Sequence, residues 1–138
     1  MCIRDSRSRV GASLAIIAKQ RPRPDEAEAL EMVGDVRGKT AVLVDDMVST
    51  GGTAIEAAHM ILDRGAQDVY MYATHAAMTA EGIELLHHSP LHRLVVTNTI
   101  PLPDAIQSDK IEVLTVAPLL AETIKRIHEH ESVSALFT

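Results

Sequence analysis

Residues 42–53, VLVDDMVSTGGT, set two adjacent carboxylates, Asp45 and Asp46, ahead of a run of small residues: Ser49, Thr50, Gly51, Gly52 and Thr53. Glycines let a backbone come close to a bound anion, and hydroxyls add donors without bulk. Carboxylates just before such a turn suit the hydroxyl hydrogens of a sugar. They equally suit a hydrated Mg²⁺, which keeps several waters and takes only one or two carboxylates. The residue types together fit a sugar phosphomonoester. No G-x-x-x-x-G-K-[ST] and no G-x-G-x-x-G occurs, so this is neither a Walker A loop nor a dinucleotide fingerprint. The plainer alternative makes the aspartates a solvated strand end, Thr53 a helix cap and the glycines an ordinary turn. Each part is common alone, but the ordered set on one stretch is not.

Such a loop works only where a strand delivers it and a helix receives it. In open α/β sheets ligands bind beyond the carboxyl ends of the strands, and the free N–H groups of a helix's first turn form an anion site. The chain supplies both elements. Apolar runs at 13–18, 40–45, 69–74, 94–98 and 111–116 predict five strands, and their continuity suggests burial on both faces. Ala54, Ala57, Ala58, Ile61 and Leu62 recur at helical spacing directly after the loop, and Gly65 stands where a left-handed C-cap would end that helix. Further helices are predicted over 80–88, before Pro90, and over 119–129, with Pro118 near the first turn. Residues 34–39, 89–90 and 101–108 read as connectors. Alternation of strands and helices predicts an α/β fold: three layers, a mainly parallel sheet and helices on both faces.

Composition narrows the function. The 138 residues are 46% hydrophobic and 23% charged, an ordinary balance for one domain able to bury a core. Nineteen acidic against thirteen basic residues give a net charge of -6, and only Phe137, Tyr70 and Tyr72 are aromatic, which argues against nucleic-acid binding. A single cysteine, Cys2, excludes an internal disulfide and any CxxC zinc site. No apolar run approaches the roughly 20 residues of a membrane span, so a soluble cytoplasmic protein is expected. Residues 1–10, MCIRDSRSRV, carry Arg4, Arg7 and Arg9 against Asp5 without the apolar stretch of a secretory signal. They are read as a non-family segment or scar, in preference to an organellar presequence, with the domain proper at 11–138.

Two further sets of residues deserve notice. Pro22 and Pro24 bias Arg21 and Arg23 toward extended conformations, so alternate positions of an arm could present Lys19, Arg21 and Arg23 on one side. Among the seven histidines, His87, His88 and His92 straddle Pro90, and His128 and His130 do not share a helical face, which makes a metal site improbable. His75 falls at the end of a predicted strand on the ligand side of the sheet, where a polar strand-end residue is a commoner reading than a catalytic base.

The 42–53 stretch resembles the phosphoribosyl pyrophosphate motif of the type I phosphoribosyltransferase fold. Residues 13–24 (SLAIIAKQRPRP), 34–53, 97–103 (TNTIPLP), 116–121 (VAPLLA) and 128–137 (HEHESVSALF) resemble the C-terminal half of the ribose-phosphate pyrophosphokinase family. That resemblance implies an enzyme transferring the diphosphoryl group of ATP to the C1 hydroxyl of ribose 5-phosphate, releasing AMP. It implies that Ser49, Thr50, Gly51, Gly52 and Thr53 hold the 5-phosphate. Asp45 and Asp46 would take the ribose hydroxyls and help place Mg²⁺, and Lys19 and Arg21 would be the basic pair of a mobile catalytic loop. Ser132 and Ser134 would lie in a regulatory phosphate-binding tail, and a homo-oligomer, commonly a hexamer, is implied as well. Two departures stand out: Ser49 replaces an acid usual in the family, and the family's N-terminal domain and upstream pyrophosphate loop are not in this sequence. The chain is thus expected to be a fragment or truncated product, incomplete as a catalyst on its own. Competing readings are a nucleobase phosphoribosyltransferase, for which no base-covering hood is found, and a non-catalytic phosphoribosyl-binding regulatory subunit.

Overall fold

The computed structural model describes residues 3–20, 29–102 and 108–137. A helix α1 (Ile3–Val10) leads into a hairpin of β1 (Ile16–Gln20) and β2 (Ala29–Val33). There follow β3 (Thr40–Val48), α2 (Gly52–Asp63), β4 (Asp68–Ala76), α3 (Ala80–His87), β5 (Arg93–Thr97), β6 (Ile111–Leu114), α4 (Ala117–His128) and a closing 3-10 turn, Ser134–Phe137. Strands β3 to β6 form one parallel sheet in that spatial order, which bears out the α/β class and the mainly parallel sheet.

One strand expectation fails. The 13–18 run begins its strand only at Ile16, and it pairs antiparallel with β2 in a separate two-stranded sheet, Ile16 opposite Val33 and Gln20 opposite Ala29. Strand β2 was not anticipated, because its sequence ALEMV carries Glu31 and three other good helix formers, Ala29, Leu30 and Met32, with no β-branched residue before Val33. The hairpin turns sharply into β3 at Gly34, whose φ of 125° suits only glycine, and a Cβ there would stand 2.8 Å from Ala15. Residues 3–10 also take a definite form, with α1 tied to the other end of the chain by the Arg9 guanidinium donating to the Phe137 carbonyl.

Consecutive strands lie side by side in one direction, so right-handed crossovers put α2 and α3 on the same face of the sheet. The core forms there. Val69, Met71 and Ala73 of β4 and Leu94 and Val96 of β5 are buried with Ala58 and Ile61 of α2 and Leu86 of α3. Ala57, Ala58 and Ile61 form the buried stripe of α2, as their spacing predicts, and Gly65 follows with φ of 90° and its N–H on the Leu62 carbonyl. On the alternate positions Val42, Tyr72 and Leu114 are exposed, so β3 and β4 alternate where their apolar runs suggested burial on both sides. Helix α4 is amphipathic, yet Leu119, Leu120, Ile124 and Ile127 remain exposed and none of its residues is buried.

Candidate functional site

Strands β3 and β4 are nine residues each, and β5 pairs only as far as Ala73 of β4 opposite Val96. Beyond that point β3 and β4 continue as a two-stranded ribbon, Met47 opposite His75 and Val48 opposite Ala76. Asp45 and Asp46 stand at the base of this ribbon with exposed side chains. One Asp45 carboxylate oxygen accepts from the Asp46 N–H at 2.8 Å, which orients the group on its own backbone and leaves its other lone pairs outward.

After Val48 the chain passes Ser49 and Thr50, both exposed, and turns through Gly51 into α2. Gly51 has φ of 77° and serves as the N-cap; lacking a side chain, it caps none of the first-turn N–H groups. The first helical bond runs from the Ile55 N–H to the Gly51 carbonyl at 2.9 Å, so the amides of Gly52, Thr53 and Ala54 precede the regular ladder. No acidic residue occupies that first turn. An anion placed there would meet N–H dipoles and the Ser49, Thr50 and Thr53 hydroxyls without opposing charge.

A residue that sequence reasoning missed seats this loop. A Cβ added to Gly82 of α3 would lie 2.7 Å from the Ser49 carbonyl oxygen and 3.0 Å from the Thr50 Cα. Helix α3 therefore presses directly on the loop, and its start is fixed by the Thr79 hydroxyl accepting from the Gly82 N–H at 3.1 Å. The only sequence signal was a glycine three residues after a threonine cap, unexpected in a helix interior.

The expected residues are thus partly assembled. Asp45, Asp46, Ser49, Thr50, Gly51, Gly52 and Thr53 sit on one strand–turn–helix at the carboxyl end of the sheet. Lys19 lies in β1, its backbone opposite Leu30, while Arg21 falls outside the described residues. Ser132 and Ser134 share a hydrogen bond at 2.8 Å, and the Arg126 guanidinium donates to the Ser132 carbonyl. His88 pairs with Glu84, and His92 stacks at 4.7 Å on Tyr70 near Asp68. A shallow depression of about 540 Å³, lined by Leu30, Glu56, His59, Met60, Asp63 and Arg64, lies along α2 and includes no residue of the 45–53 loop.

A parallel sheet with a glycine turn after an acidic strand end is the arrangement in which open α/β folds take ligands beyond the carboxyl ends of their strands. The phosphoribosyl synthetase-associated domain matches residues 6–138, and the chain belongs to that family. It is 51% identical over 130 residues to the ribose-phosphate pyrophosphokinase of Caldanaerobacter subterraneus, a match covering 94% of this chain and 41% of the relative. It is 45% identical over 130 residues to the ribose-phosphate pyrophosphokinase of Bacillus subtilis, with the same coverage. Phosphoribosylpyrophosphate synthetase from Mycobacterium smegmatis superposes with a TM-score of 0.79 at 37% identity, over 91% of this chain and 40% of that one. The chain thus spans about two fifths of the length of these relatives. Among the described residues no helix is long and apolar enough to cross a membrane.

Proposed function

We propose that this chain supplies the ribose 5-phosphate half of a ribose-phosphate pyrophosphokinase site, in which the C1 hydroxyl of the sugar attacks the β-phosphorus of ATP and AMP leaves. The observation that supports this best is the turn at 49–53. Its glycine-capped helix start would face a phosphate with amides and hydroxyls, and the Asp45 and Asp46 carboxylates lie four and three residues before Ser49 on the strand that leads into the turn. The 5-phosphate would rest on Ser49, Thr50, Gly51, Gly52 and Thr53, and the aspartates would accept the ribose hydroxyls. Such fixed donors hold the sugar in place and so reduce the entropy cost of bringing C1 to the diphosphoryl group.

Mg²⁺ suits the same strand end, because two adjacent exposed carboxylates offer hard oxygen ligands and leave room for retained water. Asp45 and Asp46 would hold it. Bound there, the cation would neutralise charge on the ATP phosphates. In this reading Lys19 and Arg21 stabilise charge growing on the diphosphoryl group, Ser132 and Ser134 contribute to a phosphate-binding regulatory tail, the family domain begins at residue 11, and the protein acts in the cytoplasm as a homo-oligomer. The family match starts at Ser6, five residues before that boundary.

Two measurements test the reading. Calorimetry of the 138-residue chain with ribose 5-phosphate should show saturable binding; its absence would remove the site. AMP release from Mg-ATP and ribose 5-phosphate should be measured with the chain alone and with the remaining part of a relative supplied in trans; release is expected in the second case, and none in both would remove the activity.

A further inference from the structure

The TNTIPLP stretch and His75 are left without a role by the reading above, yet the structure joins them. His75 is the residue of β4 opposite Met47, midway along β3 between Asp46 and Ser49. Its side chain is exposed, and its Nδ1 lies 2.8 Å from the Thr99 hydroxyl. Thr99 is itself anchored: its Oγ1 is 3.1 Å from the Thr74 carbonyl and 3.1 Å from the Thr97 hydroxyl. The Thr97 hydroxyl donates to the same carbonyl at 2.6 Å. On the neighbouring strand end the Asn98 side chain accepts from the Val116 N–H at 2.9 Å and donates to Thr115 at 3.2 Å, which pins the turn that carries Thr99.

This chain of hydroxyls ends on the Thr74 carbonyl, which can only accept. With its proton sent there, Thr99 accepts from Nδ1–H, and the ring's other nitrogen is left as an acceptor. No described residue pairs with that nitrogen. An imidazole held at one nitrogen by the Thr99 hydroxyl, itself anchored on Thr97 and Thr74, on the strand position opposite Met47, is oriented for something outside the protein's own hydrogen bonds.

Resting on the sugar phosphate reading, we propose that His75 is a further substrate-binding residue whose Nε2 accepts a hydrogen bond from a hydroxyl of the bound pentose phosphate, with Thr99 as its positioning residue. The ligand chemistry is a polyol phosphate, and the contact is to the sugar.

Substitutions separate the two ring nitrogens. Asparagine places an amide where Nδ1 stands, and glutamine places one where Nε2 stands. Loss of one such bond is worth about tenfold in affinity. In calorimetry with ribose 5-phosphate, His75→Asn should therefore weaken binding about tenfold, whereas His75→Gln, which keeps the Nε2 position but loses the Thr99 anchor, should weaken it less. Thr99→Val should weaken binding and Thr99→Ser restore it. The reverse order, with Asn like the parent and Gln impaired, would make His75 a structural partner of Thr99 only and overturn the proposal. So would two variants that both bind as the parent does.

Should both variants bind weakly, long-range proton–nitrogen spectra of the parent decide without mutation. Ribose 5-phosphate should shift the His75 Nε2 resonance, while inorganic phosphate alone should leave it in place. An unmoved Nε2, or an equal shift with inorganic phosphate, overturns the sugar contact. A parent chain that binds no ribose 5-phosphate overturns the site reading and this inference together, an outcome distinct from binding that ignores position 75.

Discussion

Asp45 and Thr50 make separable demands on a ligand, since one offers only acceptors and the other a donor beside the Gly51 turn. Asp45→Asn exchanges acceptor strength for a mixed amide and should weaken ribose 5-phosphate binding by roughly 1–3 kcal/mol; Thr50→Val, which keeps the shape and removes the hydroxyl, should cost about 1 kcal/mol. Calorimetry reads both, and thermal melts should show the fold undisturbed because the two side chains are exposed. Asp35 carries the one resolved carboxylate shift among the described residues. The Arg37 guanidinium, donating at 3.0 Å, holds it below the ordinary carboxylate range. A depressed folded-state pKa means its contribution is present above the unfolded value, near 3.9, and is lost as pH falls through the lower folded value. The melting difference between the parent and Asp35→Asn should thus be small at neutral pH, because the pair is on the surface, and should shrink further as pH falls below the unfolded value.

Elements explain which residues could be foreseen. The strand–turn–helix at 42–53 was legible because it lies on consecutive residues, each part marked locally by apolar run, glycines and spacing. Gly82 was not, because its importance comes from a helix 30 residues downstream pressing on the loop, a contact that no local pattern encodes. Replacement by valine should push back the Ser49–Thr50 backbone and weaken ribose 5-phosphate binding while the chain stays folded, checked by calorimetry beside circular dichroism. The hairpin was illegible for the opposite reason. A short strand with glutamate and methionine is fixed by its pairing to β1, not by its own propensity. Gly34→Ala would meet both a positive φ and the Ala15 Cα and Cβ, and should lower stability by about 1–3 kcal/mol in denaturant titration.

Across the whole molecule, burial is concentrated on the face covered by α2 and α3. Leu94 and Val69 are fully buried there, whereas Ile124 of α4 is 67% exposed. Leu94→Ala should therefore cost about 2–5 kcal/mol, and Ile124→Ala less than about 1 kcal/mol, when their unfolding midpoints in urea are compared. The sheet's parallel sense followed from the strand and helix alternation, but the exposure of Val42, Tyr72 and Leu114 did not, because an apolar run alone does not say which of its faces this stretch of chain covers.

The overhang of β3 and β4 past the end of β5 has a consequence for timing. Amides at 74–76 of β4 have a partner strand on one side only, with threonine hydroxyls standing in for the missing ladder at Thr74. They should trade their hydrogens for deuterium sooner than those at 70–73, where β3 and β5 flank β4 on both sides. A sugar phosphate bridging the aspartates and the turn would splint the two tips together, so slowed exchange confined to those three positions would be the fingerprint of an occupied cradle.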